Sequence, residues 1–266
     1  MPSIDFHTCA LVTGASSGLG AEFALQIAPR VDTLVLVARR ESQLQELAEK
    51  IRAWHPQVAV AVFTADLRDA GQREGLIELL NERGLHPDLL VNNAGLGDYG
   101  EFATAEWDKL QAMLQVNIEA LTHLTRMLLP NMILRGGGII NVSSLASVLP
   151  IPDFAVYAAT KAYVTSFSEA LRIELREHHI PVVAVCPGPV RTEFGKVSRR
   201  SPDSPGMPAK KSFYVPKEQV VAEALAGLDA DKPRVYPGLK IAVAALLLSA
   251  LPMVALRFVM GFRPRR

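Results

Sequence analysis

The feature that most constrains this chain is a repeated alternation of short, β-branched apolar runs with longer amphipathic stretches. The runs are TCALVT (8–13), TLVLVA (33–38), VAVAVF (58–63), DLLVNN (88–93), GIINVS (138–143) and PVVAVC (181–186), most of them almost continuously apolar. A strand with one wet face alternates in polarity. A strand covered on both faces need not, and parallel sheets are covered on both. Between the runs lie segments of helical length, such as GLGAEFALQIA, ESQLQELAEKIRAW and, the longest, AEWDKLQAMLQVNIEALTHLTRMLLPNMILR (105–135). The alternation predicts an α/β fold, a single doubly wound parallel sheet flanked by helices and joined by right-handed crossovers. Ligands of such sheets bind at the carboxyl ends of the strands.

Composition narrows the function. Hydrophobic residues make up 49% and charged residues 21%, which is globular, and the net charge is +1. No broad positive field and no basic recognition motif are present, so no nucleic-acid partner is expected. Cys9 and Cys186 are too few for a disulfide framework and read as small buried hydrophobes in a reducing compartment. The opening MPSIDFHTCA lacks the layout of a secretory signal, and a cytoplasmic location is expected. The six histidines show no metal-ligand spacing, so no metal is expected. There is no G-x-S-x-G elbow, which argues against hydrolase chemistry.

Two segments break the regular pattern. Residues 195–217 are rich in Pro, Ser and basic residues and read either as a lid over a pocket or as a solvated excursion. From Ile241 to Leu256 the chain is uncharged, is interrupted by Pro252, and leads into RFVMGFRPRR. This run is shorter than the roughly 20 residues needed to span a membrane. A buried or subunit-interface helical hairpin is the preferred reading. The alternative is a helix in the plane of a membrane, its arginines meeting anionic lipid. No linker divides the chain. Residues 1–238, with a lid at about 190–217, are expected to form one domain, and 239–266 a hydrophobic helical extension of it.

The first run leads directly into VTGASSGLG (12–20), which opens a helix. Gly14, Gly18 and Gly20 permit a tight turn and let a phosphate approach the helix N-terminus, where free amides and the dipole favour negative charge. At the end of the second run, where an acid would hold the 2′-hydroxyl of NAD, the chain has Arg39 and Arg40. A guanidinium matches a 2′-phosphate, and Ser16 and Ser17 can donate to it, so the cofactor is read as NADP(H). In VYAATKAYVTSFSEALRIEL (156–175), Tyr157 and Lys161 lie one helical turn apart. They are either surface residues whose stems cover apolar neighbours, or a phenol whose pKa is tuned by an ammonium.

TGASSGLG, NNAG (92–95), Ser143-Ser144 and YAATK (157–161) together resemble the short-chain dehydrogenase/reductase family over residues 8–192. The resemblance implies a Rossmann-type domain that transfers hydride between NAD(P)(H) and a carbonyl or alcohol. It implies catalytic roles for Asn117, Ser144 (thirteen residues before the tyrosine), Tyr157 and Lys161. It further implies cofactor contacts from Gly14, Ser16, Ser17, Gly18, Leu19, Gly20, Arg39 and Arg40. Asp66 and Leu67 would lie near the adenine, Asn93, Ala94 and Gly95 at the adenosine ribose, and Pro187, Gly188, Val190 and Thr192 over the nicotinamide. Tyr157 and Lys161 also contact the cofactor in that scheme, the phenol moved toward working pH by the ammonium and the nicotinamide.

The expected function is an NADP(H)-dependent oxidoreductase acting on a ketone, aldehyde or alcohol. Tyr99, Leu145, Val148, Leu149 and Phe154 suggest a hydrophobic substrate, lipid-, acyl- or steroid-like. The alternative is an NADP(H)-binding sensor or membrane-associated scaffold without turnover. Apolar faces on the long helix and on the YAATK helix predict a homodimer or homotetramer.

Overall fold

The computed structural model describes residues 7–201, 211–252 and 254. In chain order the main elements are β1 (His7–Thr13), α1 (Gly18–Ile27), β2 (Val31–Ala38), α2 (Glu41–Trp54), β3 (Ala59–Thr64), α3 (Ala70–Glu82), β4 (Leu89–Asn92), α4 (Trp107–Leu114), α5 (Leu121–Arg135), β5 (Gly138–Val142), α6 (Ala155–Glu174), β6 (Val182–Val185), α7 (Phe194–Val197), α8 (Lys217–Asp229), β7 (Arg234–Val235) and α9 (Leu239–Ala250). The seven strands form one parallel sheet in the order β3-β2-β1-β4-β5-β6-β7. This is the doubly wound sheet that the alternation predicts. The six expected strands are all present. The seventh, β7, is two residues long between Pro233 and Tyr236 and gave no pattern to read.

The unbroken apolar runs are explained by two cores, one on each face. Along β1, Ala10 and Val12 point to one side with Phe23 and Ile27 of α1, Leu44 and Ile51 of α2, and Val220 and Ala224 of α8. Cys9 and Leu11 point to the other, with Leu76 and Leu80 of α3, Leu124 and Leu128 of α5, and Leu171 of α6. Both cysteines are buried and unpaired, as read from their number. The strand order reverses between β1 and β4, and that crevice is where a ligand of this architecture binds.

The segment 105–135 differs from one continuous helix. Between α4 and α5, residues Gln115–Ala120 form a single π-helical turn, and Asn117 lies in it. Such turns insert an extra residue into the helical path and are frequent at functional sites. The apolar period runs on across the insertion, so the sequence hides it. At the other end, α9 is a single helix that stops just before Pro252. The rest of the expected hairpin, and residues 202–210 of the expected lid, lie outside the described residues.

Candidate active site

The turn after β1 is shaped by its glycines. Gly14 and Gly18 have φ of 65° and 58°, the left-handed region that side chains disfavour. A Cβ on Gly20 would stand 2.2 Å from the Gly14 carbonyl oxygen, so the start of α1 can press onto the strand end only with glycine there. Ser17 occupies the N-cap position but its side chain does not cap, which leaves the first-turn amides open to an anion. The NNAG turn after β4 is stitched to this one. Thr13 Oγ1 accepts from the amides of Asn93 and Ala94 at 3.0 Å each, and Asn93 Nδ2 donates to the Thr13 carbonyl at 2.9 Å. The Asn93 side chain, expected at the ribose, thus clamps the two turns together.

Arg40 crosses the glycine turn. Its guanidinium donates to Ser16 Oγ at 3.1 Å and to Ser17 Oγ at 2.8 Å, and pairs with Glu193 at 3.0 Å. The Arg40 guanidinium and the Ser17 hydroxyl hold the Glu193 carboxyl below the usual carboxylate range. A carboxylate therefore already rests on the donor set expected to take a phosphate, which fits an anionic cofactor. Arg39 is exposed beside Asp66, whose carboxyl is held down mainly by its hydrogen bonds with Arg68. Thr192 lies over Gly18, with its Cβ 3.3 Å from where a glycine Cβ would be.

Four side chains meet at the carboxyl ends of β4 and β5. Ser144 begins the short Leu145–Val148 turn, its Oγ accepting from the Ala146 amide at 3.1 Å. The Tyr157 hydroxyl is hydrogen-bonded to the Ser144 side chain. Lys161 Nζ donates to the Val142 carbonyl at 2.8 Å and stands 5.7 Å from the Tyr157 ring centre. Asn117 grips Leu96, accepting from its amide at 2.8 Å and donating to its carbonyl at 2.9 Å, and donates to Thr160 Oγ1 at 3.0 Å. A Cβ on Gly95 would be 3.4 Å from Lys161 Nζ and 3.5 Å from Asn117 Oδ1, so both border one space. Ser143, by contrast, donates to the Lys161 carbonyl at 2.8 Å and contacts Thr165, tying β5 to α6. That geometry separates the two serines.

Electrostatics departs from the expected pair. Burial pushes the Tyr157 phenol up to about 12, opposed only by its hydrogen bond with Ser144. Burial also pulls the Lys161 ammonium down to about 8. The ammonium is aimed at a backbone carbonyl and sits over the ring rather than at the hydroxyl, so in the protein alone it does not lower the phenol. Desolvation, which penalises whichever form is charged, dominates for both groups.

An aromatic wall closes the other side. Phe154 stacks on Tyr157 at 4.2 Å, Tyr99 meets Phe154 edge-on at 5.8 Å, and Phe194 lies 5.5 Å from Tyr157. The segment carrying Phe194 is strapped down, because Tyr99 donates its amide to the Ser198 carbonyl and Arg200 binds the buried Asp98 at 2.7 Å. Sequence reasoning missed Phe194 and Arg200. Phe194 was findable as the aromatic two residues after CPGPVRT, whereas Arg200 carried no signal beyond its charge. Arg73 was also missed. Buried at 1% exposure, it donates to the Leu67 carbonyl at 2.7 Å and pairs with Glu119 in the π-helical turn, joining the loop after β3 to the turn that carries Asn117.

Comparison with known proteins follows the same lines. The family described as short chain dehydrogenase matches residues 8–203. The chain is 34% identical over 203 residues to a very-long-chain 3-oxoacyl-CoA reductase of Anas platyrhynchos, covering 74% of this chain and 64% of that protein. It is 37% identical over 190 residues to sulfoacetaldehyde reductase 2 of Chromohalobacter salexigens, covering 69% of this chain and 73% of that one. Among solved structures, a short-chain dehydrogenase from Sphingobium yanoikuyae in complex with NADPH superimposes with a TM-score of 0.79 at 30% identity, over 97% of each chain.

Proposed function

The chain belongs to the short-chain dehydrogenase family, and from that premise we propose that it is an NADP(H)-dependent oxidoreductase interconverting a ketone or aldehyde with the corresponding alcohol. One observation carries the reading: the hydroxyls of Ser144 and Tyr157 and the ammonium of Lys161 share a buried space with Asn117, next to a glycine turn that already accepts a carboxylate. A nicotinamide cofactor held by the glycine turn with Tyr157 and Lys161 would supply the hydride chemistry. Everything else is done by side chains of this chain. Ser144 donates to the substrate oxygen and stabilises the charge that grows there. Tyr157, protonated throughout the working range, gives its proton to that oxygen. Lys161, near 8, is poised to exchange protons at working pH. Asn117 fixes the Leu96 backbone beside them and borders the route by which a water connects Lys161 to solvent.

Selection of NADP(H) over NAD(H) rests on Arg39 and Arg40 with Ser16 and Ser17, and is supported by the NADPH-bound relative. A hydrophobic substrate is supported by the wall of Tyr99, Phe154 and Phe194 and by the acyl-CoA reductase among the relatives. Exposed Trp107 on α4, Met127 and Leu134 on α5 and Ile173 on α6 support a homodimer or homotetramer. The test is NADPH oxidation with a panel of ketones and aldehydes. Tyr157→Phe is expected to lose about 10²–10⁴-fold in turnover while keeping its NADPH affinity. Turnover close to wild type would remove Tyr157 as proton donor. Absence of turnover by the wild type across a broad panel, with tight NADPH binding, would favour a sensor. Arg39→Asp is expected to weaken NADPH far more than NADH, and an unchanged preference would remove the NADP assignment.

A further inference from the structure

Apart from Lys240 and Ser249, α9 is apolar, yet among the described residues only one of its sides is covered. Ile241 and Ala245 are buried, and Ile241 closes on the turn at Gly188, where a Cβ would lie 2.4 Å from its Cδ1. The helix also packs against the Leu145–Val148 turn. On the opposite side Leu239, Val243, Leu246 and Leu247 share a face at helical spacing, and Val254 follows. Leu239 is 81% exposed, Leu246 70% and Val254 74%. A helix that is apolar all round normally has a second apolar medium against it.

Charge indicates which medium. From Lys232 to the C-terminus there is no acidic residue, and this stretch holds seven of the 28 basic residues, Arg257, Arg263, Arg265 and Arg266 among them. The first 231 residues are left with 21 basic against 27 acidic residues. A second copy of the same face would bring like charge against like, which disfavours self-pairing. Leucines on the face and arginines directly after it match instead the acyl boundary and the anionic headgroups of a bilayer. At twelve residues α9 is too short to cross a membrane, and no described helix is long and apolar enough to do so.

We propose that the outer face of α9 docks in the plane of an anionic lipid bilayer. Because α9 rests on Gly188 and the Leu145–Val148 turn, docking brings the mouth of the candidate site to the lipid surface. The docking itself does not depend on the proposed activity.

The test is flotation of the full chain with vesicles of phosphatidylcholine alone and of phosphatidylcholine mixed with phosphatidylglycerol. The chain is expected to float with the mixed vesicles and to stay behind with the neutral ones. Leu246→Glu/Leu247→Glu should abolish flotation, while Arg263→Gln/Arg265→Gln should weaken it by about fivefold per arginine. Unchanged circular dichroism and NADPH binding show that the variants fold, and turnover of a water-soluble ketone reports the site separately. The proposal is overturned if the wild type stays behind with anionic vesicles, or if the leucine variant floats as well as the wild type. It is overturned equally if that variant elutes as a smaller oligomer, which would assign the face to a second copy.

Discussion

Arg40 and Glu193 come from opposite ends of the chain's chemistry, one at the end of β2 and one after the turn that follows β6, and they meet over the glycine turn. The sequence marked Arg40 as a phosphate ligand from its position at a strand end. It gave no reason to place Glu193 on the same donors, because that contact depends on how two loops fold toward each other. The carboxylate occupies the donors that a phosphate would use under the proposed function, and an incoming cofactor would then displace it. Glu193→Gln removes the competing charge and is expected to tighten NADPH binding several-fold, measured by fluorescence titration; weaker binding would mean that Glu193 helps to hold the turn in its binding form. The Tyr157–Lys161 pair teaches the same lesson. The spacing of four put both on one face, but whether the ammonium reaches the hydroxyl depends on the Val142 carbonyl, which captures it.

Among the elements, the π-helical turn and the loop after β3 are linked through one buried side chain. Arg73 of α3 holds the Leu67 and Arg68 carbonyls and pairs with Glu119, two residues from Asn117. Neither the turn nor the arginine was legible in the sequence. An arginine in an amphipathic helix reads as solvated, and a one-residue insertion leaves an apolar period almost intact. Arg73→Leu leaves buried carbonyls without donors and is expected to cost about 3 kcal/mol in urea unfolding. It should also raise KM for NADPH by loosening the Asp66–Leu67 loop, and Arg73→Lys should recover part of both losses. A loss of stability with KM unchanged would confine Arg73 to the scaffold. The strands, by contrast, were readable because both faces of the sheet are covered, which leaves few polar residues along them.

For the molecule as a whole, the buried pair ties stability to pH. Lys161 titrates near 8 when folded and near 10.5 in its unperturbed form, so between these values the unfolded chain binds more protons and stability rises with pH. Tyr157 acts in the opposite sense, since its folded value of about 12 lies above the unperturbed 10 and the native state keeps the proton longer above pH 10. The stability of the wild type relative to Lys161→Met is therefore expected to increase from about pH 8 to pH 10 in denaturant titrations. A difference that stays flat across this window would show that Lys161 is not desolvated.

What the sequence determined by itself was what short-range pattern sets, the strands from nearly continuous apolar runs and the glycine turn from its strand-to-helix context, while its resemblance to the family named the candidate site residues. The tertiary structure alone decided where the ammonium points, which carboxylate sits on Arg40, that Arg73 is buried beneath the π-helical turn, and that the described residues leave an apolar face of α9 uncovered. Each of these depends on residues far apart in the chain whose contact is a consequence of packing and desolvation, and no local pattern encodes such a contact.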